Sequence, residues 1–170
     1  MPKLIRLTQN AFAWAEDGFT AVADEEPIPM GASGGDVIVS LKRFMAEGES
    51  LLGGRAVGVR IEPGEAVEDL AYDLPRLAVV ALDFPKFGDG RAFTSARLLR
   101  ERYGFKGEVR AVGEVLREQA HVMIRCGFDS FAVSDGADPE AWAKAAHRYR
   151  HVYQRAADGR EPIYTERGVA

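Results

Sequence analysis

Three observations predict a single-domain α/β fold. From residue 36 onward, short apolar runs alternate with segments of helical period, and Gly, Pro and Asp mark most of the changes. Leu77 to Leu82 is a nearly continuous apolar run, as expected of a parallel strand covered on both faces. The chain has 170 residues, enough for one core but short of the roughly 250 that a complete eight-stranded α/β barrel takes.

Taken in order, residues 4–7 and 19–23 read as β-strands, and Asp17-Gly18 between them is a hairpin signal. Asp24 to Gly35 is an acidic, Pro- and Gly-rich loop. Its Gly31, Gly34 and Gly35 precede a strand, whereas a phosphate cradle needs strand, loop and helix in that order. Val37-Ile38-Val39 is the next strand. Ser40 is placed to cap a short helix carrying Leu41, Phe44 and Met45 and ending near Gly48.

Ala56 to Ile61 reads as a strand. A helix is expected after Pro63-Gly64, with Val67, Leu70, Ala71 and Leu74 on its buried face and Pro75 at its end. Beyond the strand at 77–82, the pattern gives a helix over Arg91–Tyr103, a strand over Glu108–Val112, and a helix around Glu114–Cys126 closed by Gly127. Phe128 to Val133 is the fifth strand of this series. Asp138-Pro139-Glu140 is a strong helix start, and the helix is expected to bury Trp142, Ala146, Tyr149 and Tyr153 and to reach about Gln154.

Five βα units in succession imply a mostly parallel sheet flanked by helices, with right-handed crossovers. An open three-layer sandwich is the first expectation and an incomplete TIM-barrel-like half the alternative. The chain divides into an N-terminal hairpin and loop (1–35), the α/β domain (36–156) and a C-terminal arm (157–170).

Composition narrows the function classes. The formal charge is −4, which argues against a general nucleic-acid binder. It is unevenly spread, however: 7 basic and 13 acidic residues lie in 1–76, against 15 and 13 in 77–170. The second half therefore favours a local anion contact. One cysteine, Cys126, excludes an internal disulfide and any cysteine-only metal cluster. No apolar run approaches the ~20 residues of a membrane span, and the start has no signal-peptide pattern, so a cytoplasmic protein is expected.

In open parallel sheets, ligands bind beyond the carboxyl ends of the strands. The loop Asp83 to Arg91 brings Lys86, Asp89, Gly90 and Arg91 there. Backbone N–H groups at a helix start favour an oxyanion, and a guanidinium can hold one bidentately. Alternatively, Asp89 simply caps the helix and Arg91 is solvated. Arg110 lies inside a strand, where a charge needs a partner, and Asp83 on the preceding strand is the candidate. Gly113, just after it, permits close backbone approach. Ser134-Asp135-Gly136 reads first as a turn, with Ser134 a candidate ligand contact. Asp83 and Asp89 are the candidate bases for catalysis; Asp89, Gly90, Arg91, Arg110 and Gly113 are the candidate anion site.

Cys126 closes a helix, away from the helix N-terminus that would activate a thiol, and reads as structural. His147 and His151 are four apart, but Lys144, Arg148 and Arg155 beside them would repel a metal. They read as a solvated basic face that an acidic protein could use. His121 reads as a surface residue, and no metal site or cofactor is assigned.

The segment FPKFGDGRAFTSARLLRERYGFKGEVRAVGEVLREQAHVMIRCGFDSF (residues 84–131) resembles the bacterial family catalogued as domain of unknown function 934. The resemblance rests on DGR, on the AR-LLRERYGF-G-E-RA-G run and on RCGFD. Glu114 and Glu118 depart from it, standing where the family pattern leads one to expect aspartate. The resemblance implies an oxidoreductase role in sulfite reduction, with sulfite reductase or another sulfate-assimilation protein as partner. Siroheme or iron–sulfur chemistry would then reside in that partner. Two further classes compete: a self-sufficient enzyme acting on a small anionic substrate, and a non-catalytic interaction module.

Overall fold

A computed structural model describes residues 3–28, 35–134 and 136–166. Gly31, Gly34, Asp135 and the last four residues of the C-terminal arm lie outside the described residues.

Eight strands form one sheet in the order β2-β1-β8-β7-β6-β5-β4-β3. They are β1 (Lys3–Thr8), β2 (Ala11–Ala15), β3 (Phe19–Ala21), β4 (Asp36–Ser40), β5 (Val57–Ile61), β6 (Val79–Phe84), β7 (Glu108–Gly113) and β8 (Ser130–Val133). From β3 to β8 every neighbour is the next strand in sequence and every pair is parallel. Only β1 runs against its neighbours, β2 and β8. A sheet that never reverses its order sends right-handed crossovers to one face only. The three-layer sandwich is thereby overturned in favour of the half-barrel.

The N-terminal hairpin exists, but its turn is Gln9-Asn10, both at positive φ (49° and 68°), and its second strand is β2. Asp17-Gly18 lies in the link from β2 to β3, and β3 pairs in parallel with β4. These strands belong to the same sheet as the α/β units. The link also fixes the curvature. Laid flat, eight strands would hold their edges seven spacings of about 4.8 Å apart, or roughly 34 Å. Yet β2 and β3, the two edges, are joined by residues 16–18 alone. Four Cα steps of about 3.8 Å reach at most ~15 Å. The sheet must therefore curl until its edges nearly meet, and Glu16 to Gly18 strap the opening.

The strand period of two divides the side chains between the faces. Val37, Val39, Val57, Val59, Val80, Leu82, Phe84, Val109, Ala111 and Phe131 join one core with helix residues such as Phe44, Ala96, Leu99, Met123 and Trp142. The helices are α1 (Leu41–Leu51), α2 (Arg91–Arg97), α3 (Ala120–Cys126), α4 (Pro139–Ala146) and α5 (Ile163–Glu166). The other, inner face carries a small cluster of Ile38, Val79 and Ala81, against which Phe19 and Val112 pack.

Local chemistry explains most element ends. Ser40 caps α1 by accepting the Arg43 N–H, and Asp138 caps α4 by accepting those of Glu140 and Ala141. Gly127 ends α3 at φ 103°. A π-turn over Leu98–Arg102 continues α2, so the expected helix to Tyr103 is correct in extent.

Three expectations need correcting. The helix after Pro63-Gly64 is two 3₁₀ turns, Val67–Leu70 and Leu74–Arg76. Pro75 has no N–H to offer the Ala71 carbonyl and disfavours helical Leu74, so the chain tightens to i→i−3 bonds and Ala71 stays exposed. The helix around 114–126 starts only at Ala120, and Leu116 is exposed. Helix α4 ends at Ala146; Trp142 and Ala146 are buried, but Tyr149 and Tyr153 lie beyond it and are exposed. His147 and His151 therefore share no helical face. The chain beyond Ala157 folds back, and Asp158 meets Arg125 at 3.0 Å.

Candidate functional site

Strand register assembles a polar row across the inner face. Arg60 on β5 is level with Ala81 on β6; Ala81 is level with Arg110 on β7, and Arg110 with Ser130 on β8. Two guanidiniums thus stand on either side of an alanine, their backbones two strand spacings or about 10 Å apart. The methyl of Ala81 leaves a floor between them. Above it lies a hollow of about 480 Å³ lined by Phe19, Ala21, Ile38, Ala81, Val112 and Ala132, with Arg60, Arg110, Asp17, Gly113, Val133 and Ser134 completing the wall. That volume falls in the usual range for small-molecule sites.

Arg110 is 3% exposed, and its charge is met from two sides. Its Nε donates to Glu108 at 2.7 Å, and its Nη1 donates to both carboxylate oxygens of Asp17 at 3.0 and 2.9 Å. Glu108 is also paired with Arg6. The ring of Phe19 covers the guanidinium, 5.7 Å away. Nη2 of Arg110 and Oγ of Ser130 are buried with no hydrogen-bond partner among the described residues. Such atoms cost free energy unless something satisfies them, so they mark where an acceptor belongs.

The expected Asp83–Arg110 pair is not formed. Register explains why: Asp83 is level with Val112, two residues beyond Arg110. Asp83 instead accepts from Arg60 Nη2 at 2.9 Å. Asp83 is thus buried, with its carboxylate engaged by Arg60.

Asp89 and Arg91 close on each other. Asp89 accepts the Arg91 N–H at 3.1 Å, its Nε at 3.0 Å and its Nη2 at 2.6 Å. The Arg91 guanidinium holds the Asp89 carboxyl down to about 2. Gly90 is the residue before α2, which is only seven residues long. Arg91 faces a separate recess of about 310 Å³ near Gly64, Thr94 and Ser95, and none of the residues lining it lines the hollow. The expected convergence of Arg91 with Arg110 therefore does not occur; the second cation at Arg110 is Arg60. Gly113 does border the hollow, at φ +89°, and a Cβ there would lie 2.4 Å from the Phe84 carbonyl oxygen. Ser134 borders it as well.

Other sequence candidates are engaged elsewhere. His121 is buried, not on the surface, with Nδ1 2.8 Å from the Ala146 carbonyl oxygen and its ring against Tyr149. Cys126 is buried, and desolvation pushes its thiol up. On the expected basic face, Lys144 pairs with Glu140, Arg155 pairs with Glu161, and Arg148 lies over Tyr149. No group of three metal-ligating side chains occurs among the described residues, and none of their helices is long and apolar enough to cross a membrane.

Sequence reasoning missed Arg60 and Asp17. A lone charge in Val-Gly-Val-Arg-Ile is the same signal that exposes Arg110 in Val-Arg-Ala-Val, so Arg60 was findable. Asp17 was not, because local pattern assigns it to a hairpin turn.

A comparison with curated proteins finds no match. A family model described as "Bacterial protein of unknown function (DUF934)" matches residues 58–164. The match takes in Arg60, Ala81, Asp83, Glu108, Arg110 and Gly113 but begins after the strap that carries Asp17. It spans well over half of the chain, and the protein belongs to this bacterial DUF934 family.

Proposed function

We propose that the chain is an accessory protein of assimilatory sulfite reduction that binds a small anion-bearing organic ligand in the inner-face hollow and acts with the reductase. One observation carries the binding part: Arg60 and the buried Arg110 flank Ala81 in one row across the inner face of a parallel sheet, beside a hollow with apolar walls. The hollow reaches the carboxyl ends of β7 and β8 at Gly113 and Ser134, the side on which parallel sheets bind ligands, and a few polar groups in an apolar cavity fix orientation. The sulfite-reduction part is supported by the family resemblance of residues 84–131.

Growth tests both parts. A deletion strain is expected to fail on sulfate as sole sulfur source and to grow on cysteine. The wild-type gene and an Arg91→Ala variant should restore growth, whereas Arg110→Met should not. Normal growth of the deletion strain on sulfate would refute the pathway. Full rescue by folded Arg110→Met would refute the site.

A further inference from the structure

We propose that the guest of the inner-face hollow is a carboxylate on a small apolar body, and that its carboxylate exchanges with Asp17 on Arg110, lifting the strap over residues 16–18. This rests on the hollow being the binding site, as proposed above.

The geometry of the Asp17 contact motivates the exchange. Both of its oxygens crowd onto a single nitrogen, Nη1, at 3.0 and 2.9 Å. The stronger arrangement for arginine and carboxylate is a fork of two parallel bonds from two nitrogens. Asp17, tethered three residues from each edge strand or less, leaves Nη2 unpartnered. A carboxylate arriving free in orientation can take Nη1 and Nη2 together. It cannot do so while the strap is down, because Nη2 is shut from solvent and Phe19 covers the guanidinium.

Charge balance requires exchange over addition. The ion pairs described on the inner face join Arg6, Arg60 and Arg110 to Glu108, Asp83 and Asp17, three cations to three anions. A further anion brought to the buried Arg110, which already faces Glu108 and Asp17, would put a third carboxylate on one guanidinium, which is costly. Release of Asp17 restores the balance. Asp17 is the partner able to leave, since its side chain is already 36% exposed, Gly18 beside it would have nothing within 4 Å of an added Cβ, and its other hydrogen bond, from the Phe19 N–H at 3.1 Å, is within the strap's own hinge.

The walls select the rest of the guest. Ile38, Ala81, Val112 and Ala132 offer no hydrogen bonds from their side chains, so a bare, strongly hydrated oxyanion such as sulfite gains little there. An organic acid of benzoate size buries its body against them.

The test is an amide NMR titration of the full chain with benzoate, benzamide and sulfite as probes. Benzoate is expected to shift the amides of Ala81 and Val112 together with those of Asp17 and Gly18. Benzamide and sulfite should bind at least tenfold more weakly. Asp17→Asn, which removes the tethered competitor but keeps an acceptor for Arg110, should bind benzoate at least tenfold more tightly than wild type. An unchanged affinity in Asp17→Asn, or benzamide binding as well as benzoate, would overturn the exchange and leave the hollow standing. If Asp17→Asn does not fold, wild type decides alone: inner-face shifts with unmoved Asp17 and Gly18 amides overturn it. No inner-face shift with any probe would overturn the site itself.

Discussion

Arg60 and Arg110 occupy the same row of the sheet, separated by the single strand that carries Ala81. Neither is close to the other in sequence, and each has a different carboxylate: Asp83 for Arg60, Asp17 and Glu108 for Arg110. The row converts two isolated charges in apolar strands into one polar floor. The first prediction separates this floor from the Asp89–Arg91 loop. Arg91→Ala should leave ligand binding unchanged and lower the thermal midpoint only slightly, because the Arg91 guanidinium is 62% exposed and its pair with Asp89 is screened. Arg110→Met should abolish binding and lower the midpoint, since Glu108 and Asp17 lose a buried partner. Equal effects of the two substitutions, read by calorimetry and binding, would contradict the assignment.

Arg100 should be the most sensitive arginine for stability outside the hollow. From the π-turn it donates to the carbonyls of Gly127, Phe105 and Gly107 at 2.9, 2.7 and 2.8 Å and to Asp129 at 2.7 Å. One planar fork thereby ties α2 to the starts of β7 and β8. Arg100→Ala should cost about 3–5 kcal/mol in denaturant unfolding, the range for breaking a buried charged network. Arg100→Lys should recover little, because one ammonium cannot span four acceptors in that plane. A loss below about 1 kcal/mol for the alanine variant would exclude this role.

Asp129 gives a pH dependence with a definite sign. Desolvation pushes its carboxyl up to about 6, against the pull of Arg100 and of the Val109 N–H. The folded chain thus holds this proton more tightly than the unfolded chain, whose value is near 3.8. Its contribution to stability is fully present below about pH 4 and is lost as pH rises through about 6. Asp89, Glu49 and Glu118, all shifted down, act in the opposite sense, so the comparison must be with Asp129→Asn. Wild-type stability relative to that variant should fall between pH 4 and pH 7. A flat difference would count against it.

Gly113→Ala should be strongly destabilising despite its small size. The position combines a left-handed φ of +89° with a Cβ that would meet the Phe84 carbonyl oxygen at 2.4 Å. Backbone strain of this kind costs about 1–3 kcal/mol before the clash is counted. Urea unfolding of the variant should show at least that loss; wild-type stability would refute the local geometry.

Much of the fold was legible because its signals are local. The β-branched runs at Val37–Val39 and Val57–Ile61, the cap at Asp138 and the stop at Gly127 each depend on a few neighbouring residues. What was not legible depends on closure. Asp17-Gly18 has the composition of a hairpin turn, and Gln9-Asn10 carries a weaker signal, so local composition puts the turn later than the fold does. Nothing local shows that residues 16–18 must join the two edges of a sheet. Once that is known, Asp17 facing Arg110 follows from the curvature. The candidate site was half legible for the same reason. Arg110 and Gly113 announce themselves by a charge and a glycine at a strand end, and they line the hollow. Asp89 and Arg91 sent an equally strong signal, but it reports a self-satisfied helix start.

Methyl NMR of the protein with the small-molecule fraction of its host cells tests the central claim most directly, because residues on the opposite face of the same sheet serve as internal controls. Val112 and Ile38 face the hollow, while Val80 and Leu82 face the helices. The account predicts shifts of the Ile38 and Val112 methyls that vanish in folded Arg110→Met, with Val80 and Leu82 unmoved. Shifts confined to Thr94 and Ala92 in the recess beside Arg91, with the inner-face methyls still, would contradict it.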